Sequence, residues 1–188
     1  MTRPAPDAPI ETPWQGRYLS VNTKGNWEYV SRPGGMRAAV ILAVDHAADG
    51  PHVILVEQYR VPLGKSCIEM PAGLVGDVDA GEAAHVAAMR ELEEETGYQA
   101  ATWREAGEFY SSPGMVSESF TLFLASDLTK TGQGGGVNDE DILVHPVPLA
   151  HINSFIDEKR AAGCAIDVRL LLLLGGGLIQ LAAEKSAQ

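Results

Sequence analysis

The chain has 188 residues, 45% of them apolar, and a formal net charge of −11. That length predicts one domain, or one domain with a small appendage, and ample apolar material for a packed core. The acidity excludes wholesale nucleic-acid binding through basic patches, and an anionic ligand would need bound cations to offset it locally.

Residues 1–13 (MTRPAPDAPIETP) lack the apolar run of a secretory signal and read as a loose tail. Residues 17–21 and 27–32 read as two short strands. Asn22, Lys24, Gly25 and Asn26 supply turn chemistry between them, and Pro33-Gly34-Gly35 breaks the chain after them. Two strands cannot bury a core alone, so this unit must pack on the rest of the chain or on another subunit. Residues 36–44 and 52–59 are β-prone runs around a polar loop and predict a hairpin or two neighbouring strands of a central sheet. Residues 67–69 add a short strand, and Pro71, Gly73 and Gly76 form the loop that follows.

Residues 82–95 read as a helix. Val86, Met89 and Leu92 recur at helical spacing, and Gly97 is placed to end it in a left-handed cap. Glu91, Glu94 and Glu95 fall on one helical face. Like charges at that spacing cost roughly 0.2–0.5 kcal/mol per pair. Carboxylates at a helix C-terminus also face the wrong end of its dipole. A positive partner is therefore expected on that face, and hard oxygen ligands suit Mg²⁺ or Mn²⁺ better than Zn²⁺. For three glutamates alone, a solvated acidic face is the plainer reading.

Beyond the helix, residues 103–110 and 120–125 read as strands around the loop 111–119. Residues 127–137 are polar and glycine-rich and read as a mobile surface loop. Residues 142–147 read as one more strand. Residues 149–160 and about 167–183 read as helices, the second weakened by Gly175–Gly177. The apolar run 170–179 is too short to span a bilayer and reads as a buried helix. Cys67 and Cys164 lie in no metal or redox spacing and read as free thiols of a reducing compartment. The expectation is a soluble, cytoplasmic α/β protein.

The full spacing over 76–98 changes the odds for the acidic helix. Gly76, Glu82, Arg90, Glu91, Leu92, Glu94, Glu95, Gly97 and Tyr98 satisfy G-x5-E-x7-R-E-U-x-E-E-x-G-U, with U a bulky apolar residue. This resembles the Nudix box of the Nudix hydrolases. The resemblance implies an α/β/α sandwich with a mixed central sheet over residues 36–188. It also implies that residues 1–35, a tail and small antiparallel strand unit, serve dimerisation. Glu91 and Glu95 would be the principal metal ligands, with Glu94 assisting, and Mg²⁺ the expected cofactor. Glu82 would act through water or as a helix-start residue. Arg90 joins the catalytic group as an ion-pair partner that positions carboxylates.

The loop EMPAGLVGD (69–77) resembles the family's E-x-PAG segment, which implies a metal ligand in the carbonyl of Ala72. Only Gly76, not Gly73, satisfies the spacing to Glu82, so three residues are inserted here. Pro113, with Glu57-Gln58-Tyr59-Arg60, resembles the ADP-ribose and nucleoside-diphosphate-sugar pyrophosphatase branch. Within that branch Glu118 would be the catalytic base, against a solvent-facing Glu at a strand start. Arg60 would reach a phosphate or ribose, against a structural ion pair. Trp27, Glu28 and Arg32 would contact the substrate, with Trp27 stacking on a base or packing a dimer.

The implied activity is hydrolysis of X–P–P–Y, led by ADP-ribose and followed by other nucleoside diphosphate sugars, in a homodimer that binds neither nucleic acid nor membrane. Two alternatives are a hydrolase of nucleoside triphosphates, dinucleoside polyphosphates or capped RNA, and a non-catalytic nucleotide-sugar sensor. Pro113 with the 57–60 motif argues against the triphosphate class. A sensor would be expected to have lost metal-site carboxylates that are present here.

Overall fold

The structure is a computed structural model that describes residues 2–76, 81–137 and 140–183. The chain opens with three short strands: β1 (Ile10–Gln15), β2 (Ser20–Lys24) and β3 (Trp27–Ser31). They form an antiparallel sheet in the order β1-β2-β3. Two strands were expected and a loose tail before them. The third, β1, falls on that tail. All six of its residues are exposed, so backbone pairing with β2 holds it and no hydrophobic alternation announces it.

The main sheet contains eight strands. They are β4 (Ala38–Ala47), β5 (Gly50–Arg60), β6 (Lys65–Glu69), β7 (Ala72–Leu74), β8 (Tyr98–Tyr110), β9 (Ser119–Lys130), β10 (Ile142–Pro148) and β11 (Ala165–Ile166). Its backbone order is β11-β6-β5-β4-β9-β8, with β10 paired to β5 and β7 to β4. The β4·β9 and β11·β6 pairs are parallel and the others antiparallel, so the sheet is mixed. β4 and β5 form the expected hairpin, with Val44 opposite Val53 and Ala47 opposite Gly50.

Strand alternation divides the core in two. On one face Ala39, Ile41 and Ala43 of β4 meet Ala87, Ala88 and Leu92 of helix α1 (Ala84–Thr96). On the other, Val40 shares a cluster with Ile152 and Ile156 of α2 (Ile152–Ala161) and with Leu170 and Leu174, which lie at and just inside the start of α3 (Leu171–Ala183). The result is the predicted sandwich of helices about a mixed sheet. Burying a side chain such as Leu92 stabilises the fold by about 1.5–3 kcal/mol.

Two helical expectations are corrected. Val86 and Met89 are 45% and 48% exposed, and Leu92 alone of that trio is buried. The inward face of α1 is Ala87, Ala88, Glu91, Leu92 and Glu95, because small residues allow close approach to β4 while the carboxylates turn towards the sheet. The 170–179 run is likewise not wholly buried. Leu170 and Leu174 face the core, whereas Leu171, Leu172 and Leu178 are about half exposed. Among the described residues no helix is long and apolar enough to cross a membrane.

The glycine-rich segment is also docked rather than free. β9 runs on to Lys130, and the backbone N–H groups of Gly135 and Gly136 donate to the carbonyls of Glu95 (2.9 Å) and Glu94 (3.0 Å). Lys130 Nζ donates to the Thr96 carbonyl at 2.7 Å. The last carbonyls of α1 need donors, and this loop and a cation supply them. Gly97 closes the helix at φ 69°, its N–H on the Glu93 carbonyl at 2.7 Å.

Candidate active site

A cleft of about 560 Å³ lies between the two halves of the sheet. From the acidic helix it receives Glu91 and Glu95, from β7 Ala72 and Gly73, and from β5 Arg60. Arg32 and Glu118 reach it from the segments that end β3 and precede β9. Thus residues from five parts of the chain, all but Gly73 predicted as site residues, converge on one cavity.

The local geometry explains their types. Glu91 and Glu95 are 9% and 5% exposed. The Ala72 N–H donates to Glu95 at 3.1 Å, so the insertion after Gly73 has not moved Ala72 away from the helix. The loop is instead anchored by Ile41 N–H on the Pro71 carbonyl and Val75 N–H on the Arg37 carbonyl, both at 2.9 Å. Residues 77–80, between Gly76 and the start of the helix, lie outside the described residues.

Arg90 gathers the surrounding carboxylates. Its guanidinium reaches Glu82 at 3.1 Å, Glu91 at 2.8 Å and Glu94 at 3.1 Å. Glu82 in turn accepts from the Gly76 N–H at 3.4 Å, tying the loop to the helix. Arg90 therefore positions the acidic face, while Glu94, on its rim, lies outside the cleft lining. Among the described residues no three acidic, His or Cys side chains close into a metal-holding cluster.

The electrostatics nevertheless suit a cation. Burial, opposed by the Ala72 hydrogen bond and reinforced by the charges of Glu91 and Glu140, pushes the Glu95 carboxyl up to about 8. Two buried carboxylates one helical turn apart favour a hard divalent ion, and both offer oxygen donors. The residues present fit such an ion, held by Glu91 and Glu95.

Glu118 does not stand free in solvent. It is ion-paired with Arg32. The pairing continues along the backbone, where Val30 N–H donates to the Met115 carbonyl at 2.9 Å and Ser117 N–H to the Val30 carbonyl at 3.0 Å. The N-terminal sheet thus packs, within this chain, on the loop that carries Glu118. Trp27 lines a separate cavity of about 470 Å³ with Tyr29 and Pro113. Glu28 is exposed and lines neither cavity.

Arg60 forms the ion pair expected as its alternative, on Glu69 through Nε (2.6 Å) and Nη2 (2.9 Å), while still lining the cleft. Sequence reasoning missed Glu69, Glu140, Asp167 and Arg169, which also line it. Glu69 carried a signal, since it opens the E-x-PAG segment. The others follow no motif. Cys67 lines the cleft as well, but burial, reinforced by Glu69, pushes its thiol up to about 12, so it has no nucleophilic character.

The NUDIX domain family matches residues 35–161. The chain is 41% identical to an ADP-ribose pyrophosphatase of Bacillus subtilis over 54% of this chain and 50% of that one. It is 35% identical to a GDP-mannose pyrophosphatase of Cronobacter sakazakii over 74% and 72%. A crystal structure of an ADP compounds hydrolase superposes with a TM-score of 0.65 at 24% identity, covering 94% of this chain and 95% of that one, and shows the same fold. With the family model matching residues 35–161 and the motif's Glu91 and Glu95 lining this cleft, the chain belongs to the Nudix family.

Proposed function

We propose that this Nudix pyrophosphohydrolase cleaves the diphosphate of nucleoside diphosphate sugars, ADP-ribose first, giving a nucleoside monophosphate and a sugar phosphate. One observation carries the reading. The cleft combines two buried helix carboxylates with a third, Glu118, on a loop and with arginines, the set needed to hold cations, water and phosphates together. The names of the two pyrophosphatase relatives support the substrate class.

Glu91 and Glu95, assisted by Glu94 and the Ala72 carbonyl, would hold Mg²⁺, with Mn²⁺ as a substitute. A cation there would supply positive charge against the diphosphate and make a water molecule easier to deprotonate. Glu118 takes the proton of the attacking water, held in place by Arg32. Oxygen from water joins one phosphorus as the bridging P–O bond breaks, and the bridging oxygen leaves with the other phosphate. Arg60 donates to a phosphate from the guanidinium edge that Glu69 leaves open. The cavity lined by Trp27, Tyr29 and Pro113 suits the nucleobase, by stacking.

A homodimer through the N-terminal sheet is part of this reading. Ile10 and Trp14 of β1 are 59% and 56% exposed, and among the described residues β1 is an edge strand, the kind of element that pairs with another chain. A cytoplasmic location accords with the two unbridged cysteines.

The reading is tested with a panel of ADP-ribose, GDP-mannose, UDP-glucose, a diadenosine polyphosphate and a nucleoside triphosphate, in Mg²⁺. Preference for ADP-ribose or one sugar nucleotide supports it. Hydrolysis of the triphosphate alone overturns the substrate class.

A further inference from the structure

The family match ends at residue 161, yet the cleft continues beyond it. Asp167 and Arg169 follow β11, which runs parallel to β6 with Ala165 opposite Cys67 and Ile166 opposite Ile68. The Asp167 N–H then donates to the Ile68 carbonyl at 3.0 Å. Strand register therefore sets this short turn against the strand that carries Glu69. The Asp167 carboxylate accepts from the Arg169 backbone N–H and Nε, both at 2.7 Å, and from Nη2 at 2.9 Å.

Arg169 Nη2 also reaches Glu69 at 3.0 Å, and Glu69 takes Arg60 with its two oxygens. Two guanidinium groups thus share one carboxylate that is 3% exposed. Their repulsion is offset by Glu69 between them and Asp167 beside Arg169, so the four charges sum to zero. Each arginine commits Nε and Nη2 to these carboxylates. The Nη1 amino group of each has no hydrogen bond among the described residues. The Arg169 side chain is only 18% exposed, and its guanidinium carbon lies 5.9 Å from the centre of the Phe120 ring. A tie between the C-terminal segment and the sheet uses one edge of the guanidinium. Arg169 lines the cleft, and the guanidinium edge left unused by these ion pairs is pre-oriented and partly desolvated, which is how arginine recognises oxyanions.

We propose that Arg169 is a substrate-binding residue that donates from Nη1, beside Arg60, to an oxyanion of the substrate diphosphate. Glu69 is the positioning residue that holds both guanidinium groups. The inference rests on the pyrophosphatase reading and adds a residue outside the family match.

The test is steady-state kinetics of Arg169→Ala and Arg169→Lys on ADP-ribose with Mg²⁺, together with inhibition by AMP and by ribose 5-phosphate. For Arg169→Ala the expected result is a KM raised tenfold or more with kcat within threefold. Inhibition by one of the two products should weaken in parallel, and that product identifies the phosphate concerned. Arg169→Lys should recover only part of the loss, because an ammonium lacks the fork. Unchanged KM and unchanged product inhibition in Arg169→Ala, or a fall confined to kcat, would overturn the assignment. Should that variant not fold, KM within twofold of wild type in Arg169→Lys overturns it instead. A wild-type protein inactive on every sugar nucleotide would sink the pyrophosphatase reading, whereas active wild type with unaltered variants sinks only the role of Arg169.

Discussion

The carboxylate of Glu91 lies against the bare Cα of Gly73, where an added Cβ would stand 1.9 Å from the carboxyl carbon. The glycine of the PAG segment is thus an obligatory gap that lets a helix carboxylate lie on strand β7. Gly73→Ala must displace Glu91. The expected outcome is a loss of about 10–100-fold in metal affinity or activity, comparable to disturbing the support of a metal ligand. An overpacking cost of about 1–3 kcal/mol should accompany it. Magnesium titration of activity, together with the melting temperature, checks both.

Four carboxylates outside the helix line the cleft. Glu69 and Asp167 are tied to Arg60 and Arg169, Glu118 pairs with Arg32, and Glu140 lies within the field of Glu95. If Glu118 accepts the proton of the attacking water, Glu118→Gln lowers kcat by about 10²–10⁴-fold, with little change in the magnesium concentration for half-maximal rate. An unchanged kcat in that variant, with a large fall in Glu140→Gln, would move the role to Glu140.

The outward face of α1 gives a stability contrast. Leu92→Ala should cost about 2–5 kcal/mol, since it opens a cavity against β4. Met89→Ala, on the exposed side, should stay within about 0.5 kcal/mol. Denaturant melts of the two variants decide whether the face has been assigned correctly.

A polar knot on the far side of the sheet predicts acid sensitivity. Glu57 accepts from Lys159 Nζ at 2.8 Å and contacts His145 Nε2 at 3.0 Å. The Lys159 hydrogen bond holds its carboxyl below the usual range despite burial, and burial holds His145 below the usual imidazole value. In both cases the unfolded chain binds the proton first, so stability is complete above the unfolded pKa and is lost on acidification. The loss should begin as pH falls through about 6.5 for His145 and deepen below about 4.5 for Glu57. The contribution of Glu57 is read as the difference between wild type and Glu57→Gln, in which other titrating groups such as Glu95 cancel: the two melting temperatures should converge as pH falls below about 4.5.

The acidic helix is legible because the full spacing from Gly76 to Tyr98 marks it, whereas Glu91, Glu94 and Glu95 alone read as a solvated face. The β4–β5 hairpin was legible from its β-branched runs. β1 was not, since its pairing is made by backbone alone on an exposed edge. Nor was the docking of Gly135 and Gly136, whose partners are carbonyls some 40 residues away in sequence. Arg169 and Glu140 reach the cleft only through tertiary placement, and no local pattern marks them. Of the three glutamates expected on one face, Glu91 and Glu95 are buried and line the cleft while Glu94 does not, and the apolar neighbours Val86 and Met89 mislead, because small alanines rather than large residues make the contact with the sheet.

The most direct measurement is release of AMP and ribose 5-phosphate from ADP-ribose by wild type and by Glu95→Gln, each with Mg²⁺ and with a chelator. The account predicts rapid release by wild type that the chelator abolishes, and near-complete loss in Glu95→Gln with its melting temperature retained. Full activity in Glu95→Gln, or in the presence of chelator, would contradict the assignment of the helix carboxylates as the centre of the chemistry.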